Sequence, residues 1–157
     1  MEWLDTLRWL HIIGAAVLLG TGAGIAFFMW MAHRTGDTKI IAHGTGVVVL
    51  ADFLFTASAV LVQPVTGALL ARQVGWTFSE PWLVSSISLY AATGALWLPV
   101  VWMQIKMRDL AKTAMHEGTP LPTRYHQLFR RWIACGIPAF AFVLTIFWLM
   151  VSKPKLW

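Results

Sequence analysis

Residues 7–34, LRWLHIIGAAVLLGTGAGIAFFMWMAHR, carry no formal charge between Arg8 and Arg34. At 1.5 Å per residue, a helix of that length crosses the ~30 Å hydrocarbon core of a bilayer in one pass. A secretory signal peptide would also open on an apolar run. Here Glu2 and Asp5 spoil the basic start such a peptide needs, the run is too long, and the segment from Gly20 to Gly24 offers no cleavage site. The stretch is read as a retained first transmembrane helix.

The remainder of the chain obeys the same solvent. Charged residues make up 12% of it, about half the share of a soluble domain, while 58% is hydrophobic. The chain is therefore expected to be an integral membrane protein that is almost entirely membrane-embedded, with the lipid bilayer as its first partner. Four apolar runs, at about 9–32, 47–71, 82–104 and 132–151, are each long enough to span. Tryptophans stand near their ends (Trp9, Trp30, Trp82, Trp102, Trp132, Trp148), where an interfacial aromatic belt would put them. The first two connections are short and the third, 106–131, is longer. Short connections make consecutive spans antiparallel neighbours, so the expected fold is all-α: one domain, 1–157, forming an up-and-down antiparallel bundle of four transmembrane helices. No internal repeat is visible.

A net charge of +5 raises the question of nucleic acid, but the basic residues lie between apolar runs and report topology instead, so no nucleic-acid partner is expected. Eight fall on the side of the first and third loops: Arg34, Lys39, Lys106, Arg108, Lys112, Arg124, Arg130 and Arg131. Four fall on the other: Arg8, Arg72, Lys153 and Lys155. The positive-inside bias places the basic loops in the cytoplasm and both termini outside. Cys135, the single cysteine, has no internal partner for a disulfide.

Polar residues inside the spans carry the functional signal, because intramembrane ionisable groups are costly and turn toward a partner or a cavity. His11 lies about one turn into the first run. Steps of three and four from it give Gly14, Leu18, Thr21, Ile25 and Phe28, a face of one imidazole followed largely by small and apolar side chains. It is either a ligand or an interfacial histidine reaching for water. In the second run Asp52, Thr56, Ala59, Gln63 and Thr66 recur at 4-3-4-3 spacing, a stripe expected to face the bundle interior. A salt bridge from Asp52 to Arg34, Lys106 or Arg131 competes there with a proton or cation role. Pro64 should free a carbonyl near the bundle centre. The third run repeats the device with Ser86, Tyr90, Thr93, Trp97 and Gln104, interrupted by Pro99. The Gly20-Thr21-Gly22-Ala23-Gly24 segment has the small-xxx-small spacing of close helix packing, and no strand precedes it to make a phosphate loop.

His11 and His33 are about 33 Å apart along one helix, too far to share an ion or a haem. His33, His43, His116 and His126 fall on the basic side at spacings that match no zinc motif. His11 is alone at its depth, with Thr66 or Leu70, Ser86 and Met150 at comparable levels on the other helices. A lone histidine can hold haem iron, five-coordinate or with methionine as sixth ligand, and Met150 is the available thioether.

Leu10-His11-Ile12-Ile13-Gly14, with His33 some twenty residues on, resembles the first helix of the HemJ-type protoporphyrinogen oxidases. Those are small bacterial four-helix membrane proteins with b-type haem and an essential first-helix histidine. Over its whole length the chain is similar to an uncharacterised family of predicted bacterial integral membrane proteins. Ala51-Asp52-Phe53-Leu54-Phe55-Thr56, Gln63-Pro64-Val65-Thr66-Gly67 and Trp97-Leu98-Pro99-Val100-Val101-Trp102 carry that second likeness. The resemblances imply a multi-pass protein of the bacterial plasma membrane. The first resemblance implies haem b with His11 as the metal ligand; depth along the helices then puts Met150 and Ser86 beside it and Arg8 and Arg72 toward the propionates. The polar interior would be Asp52, Thr56, Gln63, Thr66, Tyr90 and Gln104. Three function classes stay open: a haem protein acting in redox chemistry or haem handling, with a haem-dependent oxidoreductase among its forms; an accessory subunit of a larger membrane complex or a homo-oligomer; and a proton or solute pathway.

Overall fold

The computed structural model describes residues 2–156. Four helices are long and apolar enough to cross a membrane: α1 (Glu2–Arg34), α2 (Thr38–Val74), α3 (Pro81–Glu117) and α4 (Thr123–Ser152). No strand occurs among the described residues. The protein is an all-α, multi-pass membrane bundle.

The helices are longer than the apolar runs that mark them. α2 starts at Thr38 rather than at 47, because Asp37 caps it by accepting from the backbone N–H groups of Lys39 (2.7 Å) and Ile40 (3.4 Å). α3 does not end at 104. It continues in good helix formers to Glu117, and Gly118 stops it in the left-handed conformation (φ 66°). The expected third loop is thus mostly helix, and the turn joining α3 to α4 is five residues, 118–122. At 37 residues α3 is about 55 Å long, so its last turns stand clear of the ~30 Å hydrocarbon core.

Two buried clusters close the bundle at its ends. Toward the basic end, Ile25, Met29, Ile41, Val48, Met103, Met107, Tyr125, Phe129 and Trp132 belong to one core. Trp132, expected in the aromatic belt, is buried within it. Toward the termini, Ala71, Trp82, Leu83 and Leu149 form a smaller cluster, with Trp76 and Met150 packed on it. Lys153 places its ammonium 4.2 Å from the Trp76 ring centroid over this cap.

Between the clusters the packing is unequal. The outer half of α2 packs closely on α1, and α3 packs on α4. Fully buried residues are absent from α1 between Leu7 and Ile25, from α3 between Ser86 and Val100, and from α4 between Trp132 and Leu149, among the described residues. Only α2 stays buried through this level, at Asp52, Thr56, Ala59, Gln63, Thr66 and Leu70. The middle of the bundle is a seam between two helix pairs, lined by α2's polar face.

Close helix approach does not fall on the glycines of residues 20–24. A Cβ on Gly20 or Gly24 would meet nothing within 4 Å, and one on Gly22 only Phe140 at 3.9 Å. It falls at Gly44, where a Cβ would stand 2.7 Å from the Ala32 Cβ, and at Gly14 and Gly67. Glycine spacing alone could not show which turns of α1 meet α2.

Candidate functional site

The α1–α2 contact is reciprocal. The His11 ring of α1 lies over Gly67 of α2, so that a Cβ there would be 3.1 Å from the ring's Cε1. The Gln63 side chain of α2 lies over Gly14 of α1, where a Cβ would be 3.2 Å from Nε2. Each helix supplies a bare backbone position for the other's polar side chain. Gln63 Nε2 donates to the His11 carbonyl (3.0 Å), which ties the backbone of α1 at this turn to α2.

Thr66 Oγ1 stands 2.9 Å from His11 Nδ1, and 2.9 Å and 3.2 Å from the carbonyl oxygens of Val62 and Gln63 on its own helix. A threonine hydroxyl has one proton and two lone pairs. With that proton turned to either carbonyl, the ring donates from Nδ1–H and Nε2 keeps its lone pair; with it turned to Nδ1, the neutral ring carries its proton on Nε2. No hydrogen bond to Nε2 occurs among the described residues.

The other expected members of this site make no hydrogen bond to His11 among the described residues. Ser86 is buried, but its hydroxyl donates to the Trp82 carbonyl within α3 (2.7 Å). Met150 sits half-buried on the Trp82–Leu149 cluster. Arg72 is exposed in the last turn of α2. Arg8 is exposed beside Asp5 at 3.7 Å, a surface pair.

A second polar centre forms lower in the bundle, where α2 widens into one π-turn over Asp52–Thr56. Asp52 is 3% exposed and has no basic partner among the described residues; the expected bridge to Arg34, Lys106 or Arg131 does not form. Its oxygens face neutral donors instead. Trp97 Nε1 donates to Oδ1 at 3.3 Å. With the Gln104 amide turned so that its nitrogen faces Asp52, that nitrogen donates to Oδ2 at 3.0 Å, and the amide oxygen accepts from Trp132 Nε1 at 3.2 Å. The long basic side chains remain in the interfacial layer, where their heads stay hydrated. Thr56 Oγ1, in the turn with Asp52, and Gln63 Oε1, at the His11 end, are buried and make no hydrogen bond among the described residues.

Tyr90 links the helix pairs across the seam. Pro64 has no N–H, so the Val60 carbonyl four residues earlier lacks its helical donor. The Tyr90 hydroxyl supplies one at 2.6 Å.

The basic-end histidines do not assemble. His33 stacks on Phe129 (centroids 3.7 Å apart, 15° between planes), with His126 edge-on at 5.7 Å, and His43 and His116 are exposed. No three His, Cys, Asp or Glu side chains converge among the described residues. Residue type and spacing marked His11, Thr66 and the α2 stripe, with Gly14 on the His11 face and Gln104 in the polar interior. They did not mark Gly67 as the surface under His11, Gly14 as the surface under Gln63, or Trp132 as the donor to Gln104; the available signals were Gly67 adjoining Thr66 and a tryptophan opening α4's apolar run.

No curated protein and no solved structure matches the chain. None of the comparisons relates it to the HemJ-type oxidases, so that likeness rests on the first helix. Residues 5–154 match the family described as "predicted integral membrane protein (DUF2269)", and the chain belongs to that family.

Proposed function

We propose that this is a b-type haem protein of the bacterial plasma membrane, acting in redox chemistry or haem handling, in which His11 would hold the iron. One observation carries the reading: Thr66 Oγ1 meets the ring at Nδ1, 2.9 Å away, and no hydrogen bond reaches Nε2 among the described residues. A second group on the far nitrogen fixing tautomer and orientation is the usual support of a metal-binding histidine. The donor set fits the group, because a neutral imidazole with Nε2 unclaimed is a haem-iron ligand and glycine at 67 leaves room for the ring against α2. Half-buried side chains along the seam give a flat macrocycle apolar walls. Haem b in this position would supply one-electron chemistry at iron.

This chain's residues would do the rest. Gln63 anchors the α1 backbone at the ligand, and Thr66 orients the ring. Arg8 and Arg72 are the cations available to carboxylates at the outer surface, and Met150 is the thioether on the outer cluster. In this reading the termini face outward and the basic end faces the cytoplasm, following the distribution of Lys and Arg.

Absorption spectra of the detergent-purified protein, oxidised and dithionite-reduced, test the reading. A Soret band and a reduced α band are expected, both lost in His11→Ala, which still inserts because insertion depends on the apolar run. A His11→Ala protein with its full haem complement would overturn the assignment. A second reading, a proton path along α2, is favoured by the buried Thr56 and Gln63 oxygens, which make no hydrogen bond among the described residues. Proton flux into vesicles that is lost in Gln63→Leu would support it.

A further inference from the structure

Two guanidinium groups at the basic end face one groove with no carboxylate to neutralise them. Arg124, Gln127, Leu128 and Arg131 stand at i, i+3, i+4 and i+7 on α4, a single stripe down its side. Trp102 of α3 closes the groove, which encloses about 220 Å³. The ion pairs among the described residues are Arg8 with Asp5 and Arg108 with Asp109, so Arg124 and Arg131 are unpaired. Arg124 also borders a second cavity, of about 520 Å³, whose carboxylates Asp109 and Glu117 make no ion pair with it.

Depth decides what such a groove meets. Trp132, directly after Arg131, begins the apolar part of α4. Trp102, half-exposed, lies one turn before Lys106, where α3 turns polar. The groove therefore sits at the boundary of headgroups and acyl chains, with charge above and an indole below. The geometry points to a binding site for one anionic phospholipid, its phosphate clamped by Arg124 and Arg131, its glycerol beside Gln127 and its first acyl methylenes on Trp102.

The chemistry selects within the lipids. Planar guanidinium forks match phosphate oxygens two at a time, which lysine does not. Basic grooves between membrane helices concentrate anionic headgroups. No carboxylate lines this groove to receive the ammonium of an ethanolamine headgroup, so phosphatidylglycerol is favoured over phosphatidylethanolamine. Its apolar floor, Trp102 and Leu128, favours a lipid over a free phosphate ester.

Native mass spectrometry of the full chain, released from vesicles with equal phosphatidylglycerol and phosphatidylethanolamine, tests the site. Phosphatidylglycerol adducts should dominate, and Arg124→Gln and Arg131→Gln should each weaken retention about tenfold, the scale of one charge-assisted hydrogen bond. Arg130→Gln is the charge-matched control: Arg130 is exposed and lines neither cavity, and its loss should leave retention unchanged. Equal loss in the Arg130 and Arg131 variants would reduce the effect to bulk charge and overturn the site. Equal retention of the two lipids would also overturn it. So would thermal stabilisation by glycerol 1-phosphate matching that by the lipid. All three substitutions are on exposed side chains, and helical content by circular dichroism should be unchanged.

Discussion

At the scale of a single residue, Asp52 shows what a carboxylate needs in order to live inside a membrane bundle. An isolated buried charge costs several kcal/mol, and the usual remedy is a cation. Here the remedy is two neutral N–H donors, one on each oxygen, and the chain of donors is directional. Trp132 can only donate, so Gln104 must offer it an oxygen and is left with its nitrogen for Asp52. Asp52→Asn breaks this logic although it preserves shape. Its new NH₂ faces a donor in either orientation, Trp97 Nε1 or the Gln104 nitrogen, and turning Gln104 to relieve the second merely moves the donor–donor clash to Trp132. The variant should lose about 1–3 kcal/mol of stability, the cost of a buried unsatisfied group. Trp132→Phe removes the donor that fixes the direction, so the double variant should be less destabilised than the sum of the singles. Thermal melts of the four proteins in detergent measure this, and strict additivity would show that the chain does not constrain Asp52.

At the scale of the element, α2 is the least regular helix: α3 and α4 each hold one internal proline, Pro99 and Pro138, without a π-turn. It contains the π-turn at Asp52–Thr56 and the proline at 64, and it is the helix that stays buried through the seam. Much of this helix was legible in the sequence, since the 4-3-4-3 spacing marked its polar face and Pro64 marked a free carbonyl. The π-turn was not. One extra residue in a turn shifts every later side chain by about 100°, yet leaves no signature in composition. The ends of α2 and α3 were likewise illegible from hydropathy, which reports the bilayer and not the helix; capping by Asp37 and Gly118 set them. For the candidate site, His11 and Thr66 could be matched by depth, whereas Gly67 and Gly14 acquire meaning only once the two helices touch. The link from Tyr90 to Val60 tests whether α2's break is used. Tyr90→Phe should cost about 1 kcal/mol as the Val60 carbonyl loses its donor. In a Pro64→Ala background the restored N–H satisfies that carbonyl, and the same substitution should cost close to nothing. Equal costs in both backgrounds would mean that the hydroxyl contributes nothing through this carbonyl.

At the scale of the whole molecule, the two ends of the bundle differ in kind. The basic end has a large core, long helices rising out of the hydrocarbon, and eight of the twelve Lys and Arg residues. The termini end has a small tryptophan cap, and its helix α4 stops at Ser152. An outward-facing His11 and an inward-facing Arg124–Arg131 groove both follow if the basic end is cytoplasmic, because positive loops resist translocation. Single-cysteine labelling in intact cells measures the orientation directly. Cys135, half-buried inside α4, is first replaced by Ala. Lys155→Cys, in the exposed segment after α4, should then react with a membrane-impermeant maleimide in whole cells. Lys112→Cys, on the exposed side of the α3 extension, should react only after the cells are opened. The inverse pattern would turn the molecule over and place His11 at the cytoplasmic face. Labelling of both positions in whole cells would show two orientations in one membrane, the outcome expected if the eight-to-four bias were too weak to decide.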